Sequence, residues 1–191
     1  MINLSEICNN IKFTPKHVIE VGVAEPWNSH VKEFFFSCPK IQMFEPNPKY
    51  YKMLVEWYSG LSNLTIHNLA VANTNDKIGF YTDATSIKDV PYNTADKMVP
   101  NYSRSQDNLI EVQACTIDNF DDNNIDIIAI DTEGSEWFTL KHMISRPKIV
   151  CVETHGTNYI NPFITEILNW MKENNYQKYS QDNSDTVFIK I

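Results

Sequence analysis

Short runs rich in valine and isoleucine recur along this chain with helix-like stretches between them, and that alternation constrains the fold more than any other feature. A strand that is apolar on both faces must be covered on both, so repeated strand-helix-strand units imply a parallel sheet layered between helices. The runs are His17 to Val23, Ile41 to Phe44, Leu64 to Val71, Ile125 to Ile130 and Lys148 to Glu153. Val31 to Phe36, Pro48 to Tyr58, Glu136 to Ile144 and Pro162 to Lys172 carry apolar residues at helical spacing, and in the second of these Tyr51, Leu54, Val55 and Tyr58 share one face. The chain closes on two alternating stretches, Tyr176 to Tyr179 and Thr186 to Ile191, joined by Gln181-Asp182-Asn183-Ser184, which predicts a hairpin.

A length of 191 residues and 42% hydrophobic content suit one globular domain over residues 1–191. A chain of this size buries roughly 70% of its unfolded surface and needs no staple. Cys8, Cys38, Cys115 and Cys151 are far apart and form no C-x-x-C pair, which argues against a zinc knuckle, a redox motif and a disulfide framework and points to a reducing cytoplasm. With 16 basic against 24 acidic side chains and arginine only at 104 and 146, general binding to nucleic acid is not expected. No uncharged apolar run approaches the roughly 20 residues of a membrane span.

Residues 82 to 108 fit neither period. They are either an insertion at the sheet edge that carries substrate contacts or a surface loop without regular structure. Within them Tyr92, Asn93, Tyr102 and Asn108 are types that stack on and hydrogen-bond a sugar, and equally common loop constituents.

Three segments carry chemistry. The first strand ends in Glu20-Val21-Gly22-Val23-Ala24, a turn in which glycine lets backbone amides approach a ligand. Ala24 and Pro26 stand where a dinucleotide fingerprint has further glycines, which argues against an NAD- or FAD-dependent oxidoreductase. The second strand ends in Phe44-Glu45-Pro46-Asn47-Pro48, and an acid there accepts ribose hydroxyls in nucleoside-binding α/β folds; capping of the next helix is the alternative. The third segment, Asn124 to Leu140, delivers Asp131 and Glu133 just past a hydrophobic strand, with Gly134 and Glu136 following. Those acids face the crevice where open α/β sheets bind ligands, although capping could account for one of them.

Together with Thr116-Ile-Asp-Asn-Phe120 before it and Pro147-Lys-Ile-Val-Cys-Val-Glu-Thr-His155 after it, the segment Asn124 to Leu140, with Asp131-Thr-Glu-Gly-Ser-Glu136 at its centre, resembles the FkbM family of S-adenosylmethionine-dependent methyltransferases. The likeness extends to Glu20 and Gly22, to Phe44 through Pro48, to Asn68-Leu-Ala-Val71 and faintly to Ala84-Thr-Ser-Ile87. Three positions depart from the family's pattern: Ala129 stands where lysine is usual, and Ala24 and Pro26 where glycine or another small residue is usual.

The resemblance implies an α/β fold of the class I methyltransferase, Rossmann-like type, a seven-stranded mostly parallel sheet in the order 3-2-1-4-5-7-6 with the last strand antiparallel. It implies methyl transfer to a hydroxyl, often of a sugar or glycoside. Glu20, Gly22 and Ala24 would border the methionine half of S-adenosylmethionine, Glu45 would hold the ribose, Asn68 and Ala70 would border adenine, and Asp131 would sit beside the transferring methyl. Such a displacement needs a proton acceptor for the hydroxyl, and Asp131, Glu133 and His155 are the candidates, with Glu153 behind them. Asp131, Glu133 and His155 are also cation-ligand types, but their spacing fixes no ligand set and no metal is assigned. The rival reading is a catalytically inactive module of the same fold that binds a nucleoside or a protein.

Overall fold

The computed structural model describes residues 2–90, 104–156 and 159–191. Seven strands form the main sheet: β1 (His17–Val21), β2 (Lys40–Phe44), β3 (Leu64–His67), β8 (Ile127–Ile130), β9 (Ile149–Glu153), β12 (Tyr176–Gln181) and β13 (Asp185–Lys190). Their order is β3-β2-β1-β8-β9-β13-β12, which is the expected 3-2-1-4-5-7-6. Neighbours pair in parallel from β3 to β9, whereas β13 runs antiparallel to both β9 and β12.

Side chains alternate across this sheet, so each strand feeds two cores. Ile19, Val21, Ile128, Ile130, Val150 and Val152 point to one face and pack with Leu140, Ile167, Trp170 and Met171. Those four belong to helices α3 (Glu136–His142) and α4 (Ile164–Glu173). Val18, Ile127, Ala129, Ile149 and Cys151 point the other way, toward Leu4, Ile7 and Cys8 of α1 (Leu4–Asn10) and Leu54 of α2 (Pro48–Trp57). Each fully buried Leu, Ile or Val contributes roughly 1.5–3 kcal/mol of transfer free energy, so the two layers supply the main driving force.

A second sheet abuts the first. Strands β4 (Ala70–Val71), β5 (Lys77–Tyr81), β6 (Ser86–Ile87) and β7 (Leu109–Cys115) pair in the order β4-β7-β5-β6 and enclose a small apolar core that includes Ala70, Phe80, Ile87 and Val112. Two further short strands, β10 (His155–Gly156) and β11 (Tyr159–Ile160), pair with each other.

The structure corrects several sequence expectations. Val31 to Phe36 is no α-helix: a single turn of 3-10 helix at 32–34 stands there, after another at 26–28. Val31, Phe34 and Phe35 are buried, so the apolar spacing is real, but six residues cannot meet the cost of helix nucleation. The stretch from Leu64 to Val71 is two strands in two different sheets. The chain turns at Asn68, whose side-chain amide donates to the carbonyls of Glu45 at 2.8 Å and Pro46 at 3.1 Å. Val55 is 42% exposed and stands off the buried face of α2. Strands β5 and β7, on either side of residues 82–108, had no counterpart in the sequence reading. Of that stretch, 91–103 lie outside the described residues and take Tyr92, Asn93 and Tyr102 with them. Asn108 donates to the Asp83 carboxylate at 3.1 Å.

Candidate active site

Strands β1, β2, β8 and β9 all end at one edge of the sheet, and β13 begins there because it runs the opposite way, with Asp185 opposite Glu153. A cavity of about 390 Å³ opens over that edge, a size typical of small-molecule sites. Its floor is the turn from Val21 to Ala24, Glu45, and Asp131 to Glu133; its far walls are Leu69, Ala70, Phe80 and Ile87 on one side and the β12–β13 turn on the other.

The floor is built by backbone conformations that few residues adopt. Gly22 has φ +79° and presses its main chain against that of Asp131. Ala24 follows at φ +51°, which costs a non-glycine residue roughly 1–2 kcal/mol. Glu45 secures that turn: its carboxylate accepts from the amides of Ala24 at 2.8 Å, Val23 at 3.2 Å and Asn47 at 2.8 Å. Burial pushes the Glu45 carboxyl upward, and the same amides oppose the shift. Capping of α2 falls instead to Asn47, whose side chain accepts from the Lys49 amide at 3.1 Å.

The loop after β8 is pinned in the same manner. Glu136, wholly buried, accepts from the Thr132 amide at 2.8 Å, the Thr132 hydroxyl at 3.0 Å, the Gly134 amide at 3.1 Å and the side-chain amide of Asn161. Glu133 and Gly134 take φ of +55° and +104° as the loop folds around that carboxylate. Asp131 stays partly open to the cavity although it is set deep in the fold. Burial, reinforced by Glu133, Asp185, Glu136 and Glu20, holds its carboxyl well above the usual carboxylate range. Glu153 is raised likewise, first by burial and then by Asp131.

Of the residues singled out in the sequence, Gly22, Ala24, Glu45, Ala70, Asp131 and Glu133 line the cavity. Glu20, Asn68 and His155 do not. Glu20 turns its carboxylate into the loop after β1, where it accepts from the Ser29 hydroxyl at 2.7 Å and the His30 amide at 2.6 Å. Ala129 is its neighbour on β8, so the family's usual lysine would have stood beside it; two neutral donors serve in its place. His155 sits behind the β12–β13 turn, with Thr154 Oγ1 2.8 Å from Nδ1 and the carbonyl of Asp182 3.1 Å from Nε2.

Two residues that the sequence reading passed over take prominent places. His30 lines the cavity at 7% exposure, and Asp185 lines it at 3%. A ring nitrogen of His30 and carboxylate oxygens of Asp131 and Asp185 lie within 4.8 Å of one another. The antiparallel last strand was the signal for Asp185, since a reversed neighbour of β9 must begin where β9 ends. Nothing in the residues around His30 marked it.

A doubly covered sheet in this strand order, with a glycine turn after the first strand and an acid after the second facing one cavity, defines the class I methyltransferase architecture. The methyltransferase FkbM domain matches residues 20–178, and the chain belongs to that family, whose methyl donor is S-adenosylmethionine. The glycine cradle and the cavity's size fit that cofactor.

Among solved structures, a putative RNA methyltransferase from Pyrococcus horikoshii superposes with TM-score 0.52 at 7% identity, over 98% of this chain and 81% of that one. A putative S-adenosyl-L-methionine-dependent methyltransferase from Methanococcus maripaludis gives 0.51 at 10%, over 97% and 82%. Magnesium protoporphyrin IX methyltransferase from Synechocystis PCC 6803, with S-adenosylmethionine bound, gives 0.51 at 6%, over 98% and 76%. At such identities these likenesses establish the fold alone. No curated protein sequence matches the chain.

Proposed function

We propose that this chain transfers a methyl group from S-adenosylmethionine to a hydroxyl of a neutral small molecule, with a sugar or glycoside as acceptor. The carrying observation is the charge of the cavity wall: Glu45, Asp131, Glu133, Asp182 and Asp185 line it, and among the described residues no lysine or arginine does. Such a wall attracts a cation and repels phosphate, which favours an uncharged acceptor over nucleic acid. When bound, S-adenosylmethionine supplies a methyl carried on a positively charged sulfur.

The chain's own groups divide the remaining work. Glu45 holds the Gly22–Ala24 turn in place and keeps roughly one of its four acceptor positions for a ribose hydroxyl. Leu69, Phe80 and Ile87 offer an apolar wall to the carbon face of a sugar ring, opposite the acids that accept from its hydroxyls. Asp131, in the cavity wall just past β8, accepts the proton that the acceptor hydroxyl releases. Four free, buried thiols suit a cytoplasmic enzyme. Among the described residues no helix is long and apolar enough to cross a membrane.

Calorimetric titration with S-adenosylmethionine and with its demethylated product tests the first half of the reading. Micromolar binding at one site supports the enzyme, and a flat titration supports the inactive module. Methyl-labelled cofactor offered to a panel of glycosides, amines and RNA tests the second half; label appearing on RNA or amine nitrogen and not on a sugar hydroxyl overturns it.

A further inference from the structure

Asp131, Glu136, Glu153 and Asp185 gather at the sheet edge, and no lysine or arginine among the described residues stands within salt-bridge distance of any of them. Carboxylates withdrawn from water without a cationic partner are costly. Two buried atoms beside them also lack a hydrogen-bond partner among the described residues: Nδ1 of His30 and Oε2 of Glu153. A carboxylate cluster alone is common; one that shares its space with an unpartnered imidazole nitrogen in a cavity wall is a ligand set.

Two groupings compete, and Asp131 belongs to both. Asp131, Glu136 and Glu153 offer oxygens within 4.8 Å of one another, but Glu136 already accepts four hydrogen bonds and lies outside the cavity wall. His30, Asp131 and Asp185 all face the cavity, which gives an ion a way in. Asp185 accepts from Ser184 Oγ at 2.9 Å, a bond that fixes one oxygen and leaves the other for a ligand. Bond lengths of about 2.1–2.4 Å to nitrogen and oxygen let one ion reach ligand atoms up to about 4.8 Å apart.

We propose that the cavity holds a divalent first-row cation between His30, Asp131 and Asp185. One imidazole with two carboxylates suits Mn²⁺ or Zn²⁺ better than Mg²⁺, which favours all-oxygen shells. Three protein ligands leave positions open. Resting on the methyltransferase reading, a hydroxyl coordinated there would give up its proton more readily to the Asp131 oxygen that the ion leaves free, so the ion would serve acceptor activation and not donor binding.

The test uses full-length protein stripped with chelator, free of S-adenosylmethionine, and titrated with Mn²⁺ while the free-ion electron paramagnetic resonance signal is followed. One ion per chain is expected. His30→Gln and Asp185→Asn should each weaken binding by about 10-fold or more, with circular dichroism confirming the fold. In histidine-labelled wild type, bound Mn²⁺ should broaden the ring signals of His30 and leave those of His142 sharp. If Asp185→Asn does not fold, His30→Gln and the broadening decide the matter. Absence of Mn²⁺ binding, equal binding by the folded variants, or broadening centred on another histidine overturns the site. Titration of the same sample with S-adenosylmethionine separates the two readings: cofactor binding without a cation site removes this inference and leaves the methyltransferase standing.

Discussion

A β-carbon added to Gly22 would stand 1.8 Å from the main-chain oxygen of Asp131. The first and fourth parallel strands therefore meet, just past their ends, at a contact that only glycine permits, and φ of +79° imposes the same choice independently. Gly22→Ala should destabilise the protein by about 2–4 kcal/mol, the sum of left-handed strain and forced backbone movement. Chemical denaturation should show that loss, and calorimetry should show cofactor binding abolished in the variant that remains folded.

Glu45 provides a second test. Removing its carboxylate strips the amides of Val23, Ala24 and Asn47 of their acceptor and, on the proposed reading, takes away a charged partner for ribose. Glu45→Ala should weaken S-adenosylmethionine binding by about 1–3 kcal/mol and lower thermal stability as well. Unchanged affinity by calorimetry would remove Glu45 from the cofactor site.

Asp131→Asn keeps the shape of the side chain and removes its ability to take a proton. Turnover of labelled methyl groups should vanish while the circular dichroism spectrum stays near that of the parent protein. A variant that methylates at the normal rate would show that another group serves as base.

A pH effect should arise from two histidines outside the cavity wall. His17 Nδ1 lies 2.7 Å from Asn124 Oδ1, its Nε2 lies 3.0 Å from the Gln42 side-chain nitrogen, and His67 Nε2 lies 3.0 Å from Gln42 Oε1. One set of protons satisfies every contact: His17 donates through Nδ1 and accepts at Nε2, and His67 donates through Nε2. Both rings are neutral in that arrangement. Burial lowers both imidazoles from the ordinary 6.5. The unfolded chain therefore binds protons near pH 6.5 that the folded chain refuses, so this contribution is complete above about 6.5 and is lost as pH falls toward the folded values. Buried carboxylates with raised pKa tilt stability the other way. Denaturation of the wild type and of His67→Phe between pH 7.5 and 5.5 isolates the histidine part, and the variant should lose less stability on acidification.

The parallel sheet was legible because its central strands are buried on both faces and read as apolar runs, of which Ile127 to Ile130 is the clearest. Strands β5 and β7 escaped notice because they belong to a small sheet with one open face, where Lys77, Glu111 and Gln113 interrupt the apolar pattern. Gly22, Glu45 and Asp131 were readable since each follows directly from a strand end. His155 was misplaced because a residue two positions beyond β9 can turn toward the cavity or away from it, and Thr154 with the β12–β13 turn decides for away. His30 lies in a stretch whose turns depend on where Glu20 sends its carboxylate, a tertiary matter that local spacing does not encode.

The reversed direction of β13 has an evolutionary reading. Because the turn before it forms one wall of the cavity while the ladder it joins lies at the far side of β9, residues 181–184 can be lengthened, shortened or exchanged without shifting the register of the parallel strands. On the proposed reading the acceptor can be varied at this point apart from the register of the sheet, and relatives that methylate different acceptors should differ most in that one short connection.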